Sequence, residues 1–351
     1  MREEKMAITK WDDYLIHQTA DTIDTGVNND PAFVDRLYIG CHNRDGTIHL
    51  AAGLGTYPNK NIMDGFVVIR HNDIQHNLML SRHLNGDRSD MRIGPLSIEV
   101  IEPQKRWSVG LGKNDSAMEC SLEFEGWVPP FLCKKIQFST PGGEFSNGHY
   151  FQQGKFKGNI TVNDHQIEAD GFIGARDRSW GVRPGSSAAD ILGVHFWIQA
   201  RFSDCSVALI AGELFEGTTI LCDGSIQHNN GTVISITEMR HRVEFMPGAR
   251  ALAGFEMLLK GDDGKERVLT AKAISPAMYL NAAGYDRQGE DRGPLNIEVS
   301  KLDVSRPLGI DAPFFGINES IAEFQFDGEV GFGILETSFN KGKDYQYKPS
   351  W

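Results

Sequence analysis

The sequence predicts an all-β protein built of antiparallel sandwiches or barrels, with few and short helices. Three observations carry that prediction. Apolar and polar residues alternate with period two over several stretches, as half-buried strands require. Asp-Gly and Asn-Gly pairs recur between those stretches, and tight hairpin turns select these dipeptides. Glycine is abundant, 38 in 351 residues with 14 prolines, and without a Gly-X-Y period the excess belongs to turns.

Along the chain, Phe66–Arg70 and Leu96–Ile101 read as the first β-rich runs. Met118, Cys120, Leu122 and Phe124 then alternate with Glu119, Ser121, Glu123 and Glu125, giving a strand with one wet face. Phe156, Gly158, Ile160 and Val162 repeat the pattern against Lys155, Lys157, Asn159 and Thr161. The runs Val207–Ala211, Thr232–Thr237, Ala251–Leu259 and Val268–Ile274 continue it. Turns are expected at Asp45-Gly46, Asn85-Gly86, Asp223-Gly224, Asn230-Gly231, Asp263-Gly264 and Asp327-Gly328. Helical candidates are confined to Ala7–His17 and Ser275–Ala283. The length suits about two domains. The small-residue stretch Arg183–Asp190 reads as a linker between halves 1–184 and 185–351. Each half ends in a glycine-punctuated strand, Gly171–Gly181 and Gly328–Glu336.

Composition removes several classes of function. The formal charge is −12, with 40% hydrophobic and 23% charged residues, so a nucleic-acid partner held by general electrostatics is not expected. No stretch approaches the ~18 apolar residues of a membrane span. Met1–Lys10 has mixed charge and no apolar run, so no secretory signal and a cytoplasmic location are expected. Cys41, Cys120, Cys133, Cys205 and Cys222 are odd in number, without a Cys-x-x-Cys spacing, and read as reduced thiols in the core. The partners expected are a hydrophobic small molecule, no nucleic acid and no stably inserted membrane, with a homodimer left open.

Phosphate-binding, dinucleotide, nucleophile-elbow and zinc-protease motifs are all missing, and no cofactor or metal is expected. His71, His76 and His83 match no common ligand spacing and read as turn or strand-edge residues. The densest chemistry runs from Asn147 to Arg201. Asn147–Gly154 places His149, Tyr150, Gln152 and Gln153 together, as a polar strand entry or as a site. In the strand entering from Phe172, residues Arg176, Arg178 and Trp180 share one face while Ala175, Asp177 and Ser179 take the other. An Arg–Asp network plugged by Trp180 would account for the first face. A carboxyl turned toward an apolar cavity, and able to hold a proton, would account for the second. In Val194–Phe202, His195, Trp197, Gln199 and Arg201 share one face opposite five apolar residues. That face suits a pocket lining or a domain interface.

The set His-Tyr-Phe-Gln-Gln-Gly (149–154), Gly-x-x-x-x-Arg-Asp-Arg-Ser-Trp-Gly-Val-Arg (171–183) and Gly-Val-His-Phe-Trp (193–197) resembles the double lipocalin-like superfamily. That superfamily includes carotenoid 1,2-hydratases, AttH-type proteins, kievitone-hydratase-like enzymes and some decalin-forming Diels–Alderases. The match is best over residues 145–202, with the closing Gly331-x-Gly333-x-x-Glu336 in agreement. The resemblance implies two tandem lipocalin-like β-barrels or half-barrels with a ligand cavity near their junction. It implies that Asp177 is the acid that protonates an alkene and that Tyr150 stabilises a cation. Where the carotenoid hydratases carry a tyrosine two residues before the aspartate, this chain has Ala175.

The function expected is a cofactor-independent hydro-lyase acting on a terpenoid, polyketide-like or phenolic molecule. Such chemistry needs a proton held in a low-dielectric site, aromatic faces around a developing cation, and a base or placed water. Asp177, Tyr150, His149 and His195 are the catalytic candidates, and Trp180, Trp197, Gln152, Gln199 and Arg176 are the substrate-binding ones. A pericyclase-like isomerase or cyclase, or a non-catalytic lipophilic-ligand carrier, are the alternatives.

Overall fold

The computed structural model describes residues 8, 10–17, 30–84, 90–140, 142–184, 192–314, 316–339 and 345–351. Its strands form two antiparallel sheets. The first runs from Leu295–Asp303 through Ile74–His83, Ile62–His71, Ile48–Tyr57, Phe33–His42, Phe172–Val182, Gly143–Val162, Met118–Gly126, Arg106–Leu111 and Leu96–Glu102 to Arg92–Ile93. It curls into a nearly closed barrel. In the second sheet, consecutive hairpins join Leu192–Arg201, Cys205–Leu214, Thr219–His228, Val233–Phe245, Leu252–Gly261 and Glu266–Ala273. Asn318–Phe326 and Glu329–Phe339 then close the ring, pairing with Glu266–Ala273 on one side and Leu192–Arg201 on the other. Closure pairs the eight long strands of this barrel on both sides, and the short strand Met278–Tyr279 adds to one end of Asn318–Phe326.

The chain passes from the first sheet to the second between Val182 and Leu192. Most of the expected linker, from residue 185 onward, lies outside the described residues, as does the Asn85-Gly86 turn. One strand crosses the division: Leu295–Asp303, from the second half, pairs with Ile74–His83 at the edge of the first sheet.

Period-two patterning translates directly into three cores. Met118, Cys120, Leu122 and Phe124 face the interior of the first barrel with Trp107 and Phe156. Their wet neighbours form cross-strand pairs, Lys155 with Glu125 at 3.1 Å and Lys157 with Glu123 at 3.4 Å. Val194, Phe196, Ile198 and Ala200 face the second barrel's core, where Tyr345 also packs. The outward faces of the two sheets meet in a third cluster containing Tyr38, Phe66, Phe151, Trp197, Ile210 and Ile334.

Two expectations are corrected. Asp223-Gly224 is not a turn but lies inside the strand Thr219–His228. A Cβ at Gly224 would sit 2.2 Å from the Ala208 carbonyl oxygen, so glycine there serves close strand approach. The two helical candidates reduce to 3-10 turns at Lys10–Asp13 and Leu280–Ala283. Neither stretch sustains the helical apolar stripe that tertiary packing would need. The cysteines are unpaired, four of them buried and Cys222 half-buried. Among the described residues no helix is long and apolar enough to cross a membrane.

Candidate active site

The strand Phe172–Val182 sends alternate side chains into two different environments. Arg176, Arg178 and Trp180 point into the first barrel, where they hold the N-terminal segment. Arg176 Nη1 donates to Asp13 Oδ1 at 3.0 Å and to the Tyr150 hydroxyl at 2.9 Å, and its Nε donates to Gln152 Oε1 at 2.9 Å. The guanidinium lies 4.2 Å over Trp107. Gln152 Nε2 donates to the carbonyls of Gln104 and Val128. Arg178 pairs with Asp35, which also accepts the His17 backbone N–H at 2.6 Å. The His17 ring stacks on Trp180 at 4.0 Å and its Nε2 meets Asp12 at 2.5 Å. Burial opposes charge on His17, but Asp35 and Asp12 outweigh it and hold its pKa above the ordinary value. Burial likewise opposes charge on Asp35, yet Arg178 and His17 hold that carboxyl below its ordinary value.

Four of the nine candidates therefore lie in the barrel interior, away from the cavity: Tyr150, Trp180, Gln152 and Arg176. A fifth, Gln199, is buried between the sheets and accepts from Gln153 Nε2 at 3.3 Å. The remaining four, Asp177, His149, His195 and Trp197, line a cavity of about 1100 Å³ at the junction of the barrels. That volume suits a sizeable organic ligand.

Within the cavity His149 Nε2 lies 3.3 Å from Asp177 Oδ2, and Cys133 Sγ lies 3.9 Å from His149 Nδ1. His195 Nδ1 is 3.8 Å from Glu336 Oε1. Burial, reinforced by His149, pushes the His195 pKa down to about 4, so this imidazole is neutral at physiological pH. Glu336 and Glu319 stand directly opposite each other on neighbouring strands, a placement that like charges resist. Burial, with the adjacent Glu319 and Asp177 charges, pushes Glu336 well above the carboxylate range. A side-chain contact with Glu319 raises it further. Glu319 accepts from the Tyr38 hydroxyl at 2.9 Å and lies 3.1 Å from His49 Nε2. Tyr38 meets Trp197 edge-on at 5.3 Å.

Sequence reading did not reach Glu319 or Tyr38. Glu336 was visible only as the last residue of Gly331-x-Gly333-x-x-Glu336. On Asn318–Phe326, Glu319 and Glu323 look alike in the sequence, yet Glu319 is 0% exposed while Glu323 is half-buried. Contact with Tyr38 and His49 of the first sheet makes the difference, and local pattern does not encode it.

Two barrels joined through their outer faces, with a ligand-sized cavity at the junction, make up a double lipocalin-like fold. The chain belongs to a family of unknown function (DUF8625), whose model matches residues 8–339. No curated protein gives a significant match in sequence. Among solved structures it resembles an AttH-like protein of Nitrosomonas europaea with TM-score 0.60 and 13% identity, over 93% of this chain and 98% of that one. It also resembles CghA with Sch210972, with TM-score 0.53, 9% identity and 92% of each chain covered. Kievitone hydratase of Nectria haematococca aligns with TM-score 0.48 and 9% identity, over 87% of this chain and 88% of that one. At such identities the likeness is one of fold.

Proposed function

We propose that this protein is a proton-transfer enzyme, a hydratase or dehydratase, acting on a largely hydrophobic small molecule in the junction cavity. The observation that carries the reading is Glu336, a cavity-wall carboxyl directly opposite Glu319, whose pKa burial and that neighbour raise well above the ordinary value. Asp177 keeps a role as the carboxylate paired with His149. In the addition direction, Glu336 passes its proton to an alkene carbon, and the electron pair of the double bond forms the new C–H bond. Trp197, Tyr38 and Phe66 flank the cation that results. The Asp177–His149 pair takes a proton from water as its oxygen bonds to the cationic carbon. Dehydration is the reverse, with the proton delivered to the departing hydroxyl.

The test is turnover in ¹⁸O-labelled water with a panel of terpenoid alkenes, tertiary alcohols and prenylated phenols, read by mass spectrometry. Label gained in a product, or water lost from an alcohol, supports the reading, and Glu336→Gln then abolishes it. An unlabelled isomer replaces it with a cyclase or isomerase. The cavity's apolar wall of Phe66, Phe138, Phe145, Trp197 and Ile210 favours that second reading, because such a wall can fold a polyene. Stoichiometric binding without turnover replaces both with a carrier.

A further inference from the structure

The same cavity contains a cationic corner that the proton-transfer reading leaves unused. Arg36 and Arg183 both line it. Among the described residues neither guanidinium forms an ion pair, in contrast to Arg176 and Arg178 in the barrel interior. Arg36 lies 4.6 Å over the Tyr285 ring. Arg183 directs Nε and Nη2 to one acceptor, Asn147 Oδ1, at 3.3 and 2.9 Å. The nearest carboxylates, Asp64 and Asp177, attract Arg36 without forming an ion-pair contact with it. Asp177 pairs with His149, and Asp64 accepts the Gly289 N–H at 2.5 Å. Lys60 reaches the Gly289 carbonyl at 3.5 Å and adds a third positive charge at the cavity wall, while Asp286 adds one negative charge there. Burial and repulsion from Arg36 lower the Arg183 pKa to about 10. Desolvated cations are normally matched by an anion, and here two of the same sign share one wall.

We infer that Arg36 and Arg183, with the Tyr57 and Tyr285 hydroxyls as further donors, form an anion-binding corner, and that the cavity's ligand is an amphiphilic organic anion: a carboxylate or acidic enol on a hydrophobic body. Guanidinium forks fit such oxygens in bidentate geometry. The corner also sets a distance. Arg36 and Tyr38 are two residues apart on the same strand, and Tyr38 stands opposite Asp177 in register. The anionic head is thus held roughly 7 Å along the strand from the acid cluster. This inference takes the cavity to be the ligand site, as the functional proposal does, but it is read through binding alone.

Isothermal titration with farnesoic acid and with farnesol, which share a hydrocarbon body, tests it. The wild type binds farnesoate at least tenfold more tightly than farnesol, and the preference shrinks with added salt. The double variant R36Q/R183Q loses the preference while its farnesol affinity stays unchanged, which also shows that its cavity is intact. R36K/R183K retains part of the preference. Equal affinity for the two ligands, a preference for farnesol, binding of neither, or a preference that survives R36Q/R183Q overturns the inference. Glu336→Gln separates the two proposals. A variant that stays active while the farnesoate preference persists removes Glu336 as the acid and leaves the anion corner standing. Lost activity together with equal affinity for both ligands does the reverse.

Discussion

The interior of the first barrel and the junction cavity both bury charge, and they balance it in opposite ways. Inside the barrel, Asp13 faces Arg176, Asp35 faces Arg178, and His17 sits between Asp12 and Asp35. Each of these carboxylates has a basic side chain against it, so the charges fix geometry. At the junction, Asp177, Glu319 and Glu336 gather with neutral His195, while Arg36 and Arg183 form no ion pair among the described residues. A single strand, Phe172–Val182, supplies both regions from its two faces. The difference teaches that matched charges build this fold, whereas the mismatched ones are those to which we assign proton transfer and anion binding.

The comparison breaks most visibly at Arg178. Removing one partner of a buried pair strands the other, at a cost of about 3–5 kcal/mol. Arg178→Met leaves Asp35 buried with only His17 as a cation, and urea unfolding should show a loss of that size. Stability close to wild type would remove the structural role assigned to the barrel network. The junction behaves otherwise. Glutamine matches a protonated glutamate in shape, so Glu336→Gln should unfold no more easily than wild type. Its turnover on a substrate found in the labelled-water assay should fall by at least ~100-fold, the low end for loss of a general acid.

Asp35 in the barrel and Glu336 at the junction respond to pH with opposite signs. Asp35 is held below its ordinary 3.8, so its stabilisation is present above that pH and lost as pH falls through the lower folded value. Glu336 is raised above its ordinary 4.5. Between 4.5 and its folded value the native state binds more protons than the unfolded chain, so stability falls as pH rises. The slope reaches about 1.4 kcal/mol per pH unit inside that window. Unfolding at pH 5 and pH 7 should therefore show Glu336→Gln gaining on the wild type at the higher pH. A constant difference between the two proteins would mean that Glu336 is ionised in the native state.

How much of this could be read beforehand follows from what local pattern encodes. The strands and their inward faces were legible because alternation is a property of neighbouring residues. So was the split of Arg176 and Arg178 from Asp177, a matter of parity along one strand. Parity does not say which face meets a cavity, and for that reason Tyr150, Trp180, Gln152 and Arg176 were grouped with Asp177 as site residues. Glu319 and Glu336 are distant from Asp177 in sequence and come to it only through closure of the second barrel. Asp223-Gly224 misled for a related reason: the dipeptide favours turns locally, while packing against Ala208 requires glycine in a strand.

The smallest expected effect falls on the hydrogen bond that links the junction's aromatic wall to its carboxyls. Tyr38 donates to Glu319 at 2.9 Å, and Glu319 stands directly opposite Glu336, whose pKa it helps to raise. Tyr38→Phe removes a donor that favours negative charge on this pair, so Glu336 should hold its proton more tightly. A hydrogen bond to a charged group is worth about 1.5–3 kcal/mol, but part is lost to relaxation in a cavity this large. The alkaline limb of the pH–rate profile should therefore move up by about one pH unit at most, with the maximal rate changed little. Movement downward would show that the hydroxyl does not stabilise the carboxylate. A tenfold loss of maximal rate with an unmoved limb would instead make Tyr38 a group that acts on the substrate directly. Either result would redraw the line between the wall that binds and the carboxyls that react.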